Sequence, residues 1–175
     1  FFMMCEGGKI DWACHANDAA STIHDTMALA NAVQVAIDFA AEHPEETLIL
    51  VTGDHETGGL TIGFAGTDYD TYLTLLENQK ISFAKFDSDY VADYKANHTT
   101  FNQVMEDVEE LFGLKTRGEA DDKLVLTAYE QNQLKLAYDA TMNPDRVVDA
   151  SNQAEYVLYG TYEPLSVTIT HIINN

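Results

Sequence analysis

Leu48-Ile49-Leu50-Val51-Thr52-Gly53-Asp54-His55-Glu56-Thr57-Gly58-Gly59 is the stretch on which the fold turns. Its apolar start reads as a buried strand, Thr47–Val51, that runs directly into a turn holding a carboxylate and an imidazole. Such a polar pair at the end of a buried strand is costly unless a metal or partner satisfies it. Open α/β sheets bind their ligands at strand carboxyl ends.

Working upstream, Asn17 to Glu42 reads as a loop followed by a long helix. Ala28, Leu29, Ala32, Val33, Ala36, Ile37 and Ala40 recur at three- and four-residue spacing, and Pro44 ends the pattern. Before it, Phe1–Cys5 reads as another buried strand, with Cys5 a buried free thiol. Strand, helix and strand in that order make the βαβ unit of a parallel sheet, so the expected class is α/β. An apolar opening is unusual for a solvated terminus, and the chain is expected to be a piece of a longer protein.

Between the first strand and the helix lies Glu6-Gly7-Gly8-Lys9-Ile10-Asp11-Trp12-Ala13-Cys14-His15. Asp11 and His15, four apart, share one face of a helical turn, and their oxygen and nitrogen donors suit zinc. Asp-x-x-x-His alone is commonly a surface pair. Glu6, a lone carboxylate at the strand end, suits magnesium. Together with Asp54 and His55 the ligand capacity exceeds one tetrahedral ion, and paired ions about 4 Å apart suit phosphoryl displacement. The two clusters point to a multi-metal hydrolytic site. Glu56 reads either as a group orienting a ligand or as plain turn solvation. His24, His43 and His98 read as helix-end or solvent-facing residues, and His171 as a packing residue of a last strand. Ser21, Ser82, Ser88, Ser151 and Ser166 lack a glycine-rich elbow or a neighbouring base, and no phosphate-binding Gly-x-x-x-x-Gly-Lys loop occurs.

The chain has 175 residues, 46% of them hydrophobic, which is enough for a packed core. Its formal net charge of −20 argues against nucleic acid and against an anionic membrane surface. An anionic substrate would need bound cations to reverse the local field. No apolar run approaches the roughly 20 residues of a spanning helix. With only Cys5 and Cys14, no disulfide framework is expected.

From about residue 66 to 147 aromatic and acidic residues interleave in a mostly helical texture. Thr99–Leu114 places Phe101, Val104, Val108, Leu111 and Phe112 on one face. Thr127 and Glu130 form a capping box for a helix that carries Leu134, Ala137, Tyr138 and Met142 and stops at Pro144. Leu60–Phe64 and Leu165–Ile173 read as strands. The expected organisation is a metal-ligand βαβ part over 1–65, a mostly helical insertion over 66–147 that the sequence does not separate from an independent subdomain, and a return to the core over 148–175.

Residues 1–15 and 51–56 resemble the Glu-Gly-x-x-Ile-Asp-x-x-x-His and Val-Thr-x-Asp-His segments of alkaline phosphatases. The likeness covers residues 1–64 and carries no residue-level match over 66–147. It implies a partial alkaline-phosphatase-like core with a parallel sheet. Asp11 and His15 would bind the first zinc, Asp54 and His55 the second, and Glu6 a magnesium, giving two Zn and one Mg. Trp12 stands where other members have Lys or His near the phosphate. The family's nucleophilic serine, a companion aspartate and a further histidine ligand have no counterpart here, so no catalytic nucleophile is assigned. The resemblance implies a phosphate-monoester substrate, a periplasmic or secreted parent, and metal sites incomplete in this chain, and it leaves a homodimer open. A non-catalytic metal-binding or interaction module, and a phosphodiesterase or sulfatase of the same superfamily, are the alternatives; Glu6 weighs against the last.

Overall fold

The computed structural model describes residues 1–60, 70–119, 121–146 and 159–174. Helix α1, Gly8–His15, and helix α2, Ala19–Glu42, fold back on one another around a tight corner. Asn17 makes the corner with a left-handed backbone, φ 51°. Asp18 caps α2 by accepting from the Ser21 amide at 2.9 Å. The segment before α1 returns along α2, so that the Phe1 and Phe39 rings lie 6.3 Å apart.

A 3-10 turn, Leu73–Asn78, leads to α3, Phe83–Phe86. A π-helical turn, Asp87–Val91, joins α3 to α4, Ala92–Asn97, without a break. His98 ends α4 in a left-handed conformation rather than opening the next helix. Helices α5, Phe101–Phe112, and α6, Ala128–Met142, follow, and α7 covers Pro164–Asn174. The reciprocal Thr127–Glu130 cap expected from the sequence starts α6, and a Thr100–Gln103 pair starts α5 in the same way. Among the described residues no helix is long and apolar enough to cross a membrane.

The core lies in the second half of the chain. Phe86, Val91, Val104, Val108, Phe112, Leu134, Leu165 and Ile169 are almost fully buried together. The Phe86 ring meets Phe112 edge-on at 5.2 Å and stacks on Tyr90 at 5.7 Å. Helix α7 joins this core through Leu165, Ile169 and Ile173, and its Leu165 amide donates to Thr141 Oγ1 at 3.0 Å.

The expected α/β class with a parallel sheet is not what forms. The described residues contain no strand, only a single parallel bridge between Lys115 and Val125. Phe1–Cys5 and Thr47–Val51 form neither strand nor helix, and Leu48 and Leu50 stay 82% and 80% exposed. An apolar run calls for burial but does not supply the partner whose N–H and C=O groups would complete a ladder. Cys5 is accordingly exposed rather than buried, and both Cys5 and Cys14 are free thiols. Leu165–Ile173 is helical because Leu165, Ile169 and Ile173 fall at i, i+4 and i+8 against the core, which outweighs the strand preference of Val167, Thr168, Ile169 and Thr170. The strand expected at Leu60–Phe64 lies, beyond Leu60, outside the described residues.

Candidate metal centre

Helix α1 turns Asp11 and His15 onto one face, as the four-residue spacing dictates, with His15 Nε2 3.2 Å from Asp11 Oδ1. That oxygen is shielded from solvent and has no hydrogen-bond donor aligned on it. Its near neighbour of potential positive charge is therefore the His15 ring, set beside it rather than aligned as a donor. Three amides, from Ala16, Asn17 and Asp18, satisfy the last carbonyls of α1, those of Trp12, Cys14 and Ala13, at 3.2, 3.0 and 2.9 Å. The helix end that carries His15 is thereby fixed.

The turn holding the second pair comes to rest against this helix end. Gly58 has φ 59°, and a Cβ placed on it would lie 2.7 Å from His15 Cα and 2.8 Å from the Cys14 carbonyl oxygen. Only glycine meets both the backbone angle and the close approach. Asp54 Oδ2 lies 3.7 Å from His55 Nε2, and His55 Nδ1 is 2.6 Å from the Glu56 carbonyl oxygen. Donation to that carbonyl, followed by the charge of Asp54 and a smaller contribution from Asp11, holds the His55 pKa above its ordinary value. With Nδ1 committed to the carbonyl, Nε2 is the nitrogen that faces the Asp54 carboxylate. Glu56 also accepts from the Gly59 amide at 3.3 Å, so its carboxylate shapes the turn.

The remaining expected residues sit around this junction. Glu6 is exposed just ahead of α1, its Oε1 3.6 Å from where a Cβ of Gly8 would lie. Trp12 is 55% exposed, and the Lys9 ammonium lies over its ring, 4.1 Å from the centroid. A positive charge thus stands beside the indole although the indole carries none. Tyr162, from the start of the α7 region, lies within reach of the Asp11 charge, and burial together with that charge raises its phenol pKa. His171 is on a helix, with Nε2 2.9 Å from Asn17 Nδ2, and burial lowers its pKa. Asp11 with His15 and Asp54 with His55 stand as two pairs; among the described residues no group of three His, Cys, Asp or Glu side chains converges as a metal site.

Sequence reasoning passed over Asp18. It is fully buried and accepts four hydrogen bonds, from the Ser21 amide and hydroxyl, the Gln79 side chain and the Phe83 amide. A carboxylate just ahead of Ala19-Ala20-Ser21 was a readable helix-start signal. Its long-range partners were not readable.

A family model described as alkaline phosphatase matches residues 1–160. Alkaline phosphatase 4 of Bacillus subtilis is 44% identical over 66 residues, which is 38% of this chain and 14% of that protein. The repressible alkaline phosphatase of Saccharomyces cerevisiae is 47% identical over 60 residues, 34% of this chain and 11% of that protein. Alkaline phosphatase 3 of Bacillus subtilis is 38% identical over 93 residues, 53% and 19% of the two chains. The match therefore spans less than a fifth of the length of these relatives. No solved structure matches the chain.

Proposed function

Because the chain belongs to the alkaline phosphatase family, we propose that it supplies metal-ligand residues to a phosphate-monoester hydrolase. Asp11 and His15 would hold one zinc, Asp54 and His55 a second, and Glu6 a magnesium. When bound, the ions supply Lewis-acid charge that offsets the chain's own acidity toward an anionic ester. The observation that carries this reading is the seating of the Asp54-His55 turn on the backbone of His15 through Gly58. Mixed carboxylate and imidazole donors suit zinc, and Asp11 Oδ1, shielded from solvent and 3.2 Å from His15 Nε2, pairs an oxygen with a nitrogen donor as such a site requires. Trp12, with Lys9 stacked on it, would face the phosphate.

The residues of the chain do the following. The α1–α2 corner fixes His15, the Glu56 carbonyl selects the His55 tautomer, and Lys9 holds a cation at the Trp12 face. No serine in the chain is assigned as a nucleophile, and the chain by itself is inactive on phosphate monoesters. The periplasmic or secreted setting and a homodimer belong to the same proposal.

Zinc titration of the 175-residue chain by calorimetry, paired with a p-nitrophenyl phosphate assay, tests this. Weak zinc binding that Asp11→Asn and Asp54→Asn together abolish, with no ester turnover, is the expected result. Zinc heats unchanged in that double variant would overturn the ligand assignment, and zinc-dependent turnover by the chain would overturn the inactivity.

A further inference from the structure

Among the described residues, hydrogen bonds tie the first two helices to the later half of the chain at the corner Ala16-Asn17-Asp18, where each residue is held by a partner far along the sequence. The Ala16 carbonyl accepts from Thr170 Oγ1 at 2.7 Å. Asn17 Nδ2 lies 2.9 Å from His171 Nε2. The Asp18 carboxylate accepts from Gln79 Nε2 at 2.7 Å and from the Phe83 amide at 2.9 Å. These partners come from α7, from the loop after the 3-10 turn, and from the first residue of α3.

The corner immediately follows His15. The Asp18 amide donates back to the Ala13 carbonyl at 2.9 Å, within α1 itself. Asp18 is 0% exposed, so its carboxylate has no water to fall back on if a partner is removed. A shift of the corner would therefore rotate the last turn of α1 and move His15 relative to Asp11. Capping α2 needs only the Ser21 bonds; those to Gln79 and Phe83 add nothing to the cap and everything to the corner's position relative to the later helices.

We propose that Asp18 is a positioning residue for the Asp11–His15 pair, and that through it, with Thr170, the helical segment from Leu73 onward sets the orientation of the ligand helix. This rests on the metal reading above for its purpose, though not for its geometry. On this view the later helices are a splint for the site rather than a separate appendage.

The test uses the full chain and two readouts. In the metal-free chain, NMR follows the His15 ring resonances and the His15–Asp11 proximity. Cobalt(II) alone, titrated while its visible absorption is recorded, reports the coordination. Gln79→Ala and Thr170→Val each remove one tie and leave the Asp18 cap on Ser21 intact, so both variants should fold, with Asp18→Asn as the stronger version. Val108→Ala, in the core away from α1, serves as the stability-matched control.

The two tie variants are expected to shift the His15 resonances and weaken cobalt binding by about tenfold, the scale seen when partners behind a metal ligand are removed. Val108→Ala should lower the melting temperature and do neither. His15 resonances that stay put in both tie variants, or that move equally in the control, would overturn the proposal. A wild-type chain that takes up no cobalt would instead count against the metal reading, with the NMR comparison still deciding the positioning role.

Discussion

Gly58 rests on the backbone of His15 so closely that the smallest side chain would put a carbon 2.7 Å from His15 Cα. The contact is backbone to backbone, so no rotamer change relieves it. Gly58→Ala is therefore expected to lift the Asp54-His55 turn off α1. The cost is on the order of 1–3 kcal/mol if the turn stays in place, counting the strained left-handed backbone. NMR contacts between residue 58 and His15 should vanish, and calorimetric zinc affinity should fall. Gly53→Ala is the control, since a Cβ there meets nothing within 4 Å. Retained 58–15 contacts in Gly58→Ala would show that the turn is not seated as described.

Asp87 opens the π-helical turn, and burial pushes its carboxyl pKa up to about 7. The Ser166 hydroxyl and the Lys95 ammonium oppose that shift, and the Glu163 charge adds to it. A raised acid binds its proton more tightly in the folded state. Its stabilising contribution is complete below the unfolded value near 4 and is lost as pH rises toward about 7. Asp87→Asn cannot ionise, so its melting temperature relative to the native chain should climb between pH 5 and pH 8. The expected change is on the order of 1–3 kcal/mol, or several degrees. A difference that stays flat across that range would mean that Asp87 does not titrate there.

Leu134 is fully buried in the core of the later helices, whereas Leu50 is 80% exposed on the irregular run before the Asp54-His55 turn. Leu134→Ala is expected to cost about 2–5 kcal/mol in urea unfolding. Leu50→Ala should stay within about 0.5 kcal/mol. Equal losses would place Leu50 under cover that the fold described here does not provide.

What could be read from the sequence was local. Asp11 and His15 share a face because a helix repeats every 3.6 residues, and that holds whatever surrounds α1. The Thr127–Glu130 cap and the stops at Pro44 and Pro144 are short-range chemistry of the same kind. The mistaken elements all required knowledge of a distant partner. Leu48-Ile49-Leu50-Val51 announces that it wants cover without saying where cover comes from. In Leu165–Ile173 the β-branched residues pointed to a strand, but the i, i+4 set Leu165, Ile169 and Ile173 found the buried face of a helix. The Asp18 ties to Gln79 and Phe83 cross 61 and 65 residues, and no pattern within the first helices encodes them. The π-helical turn at Asp87–Val91 left no mark in composition either.

The uncovered run Leu48–Thr52 has a consequence for the behaviour of the chain in solution. It is short, rich in β-branched and leucine side chains, and free of charge and proline, which is the composition of a self-associating segment. A net charge of −20 opposes that association, and the repulsion is screened within about 8 Å at physiological ionic strength. Added salt is therefore expected to favour association through this run and through the exposed apolar residues Phe1 to Met4.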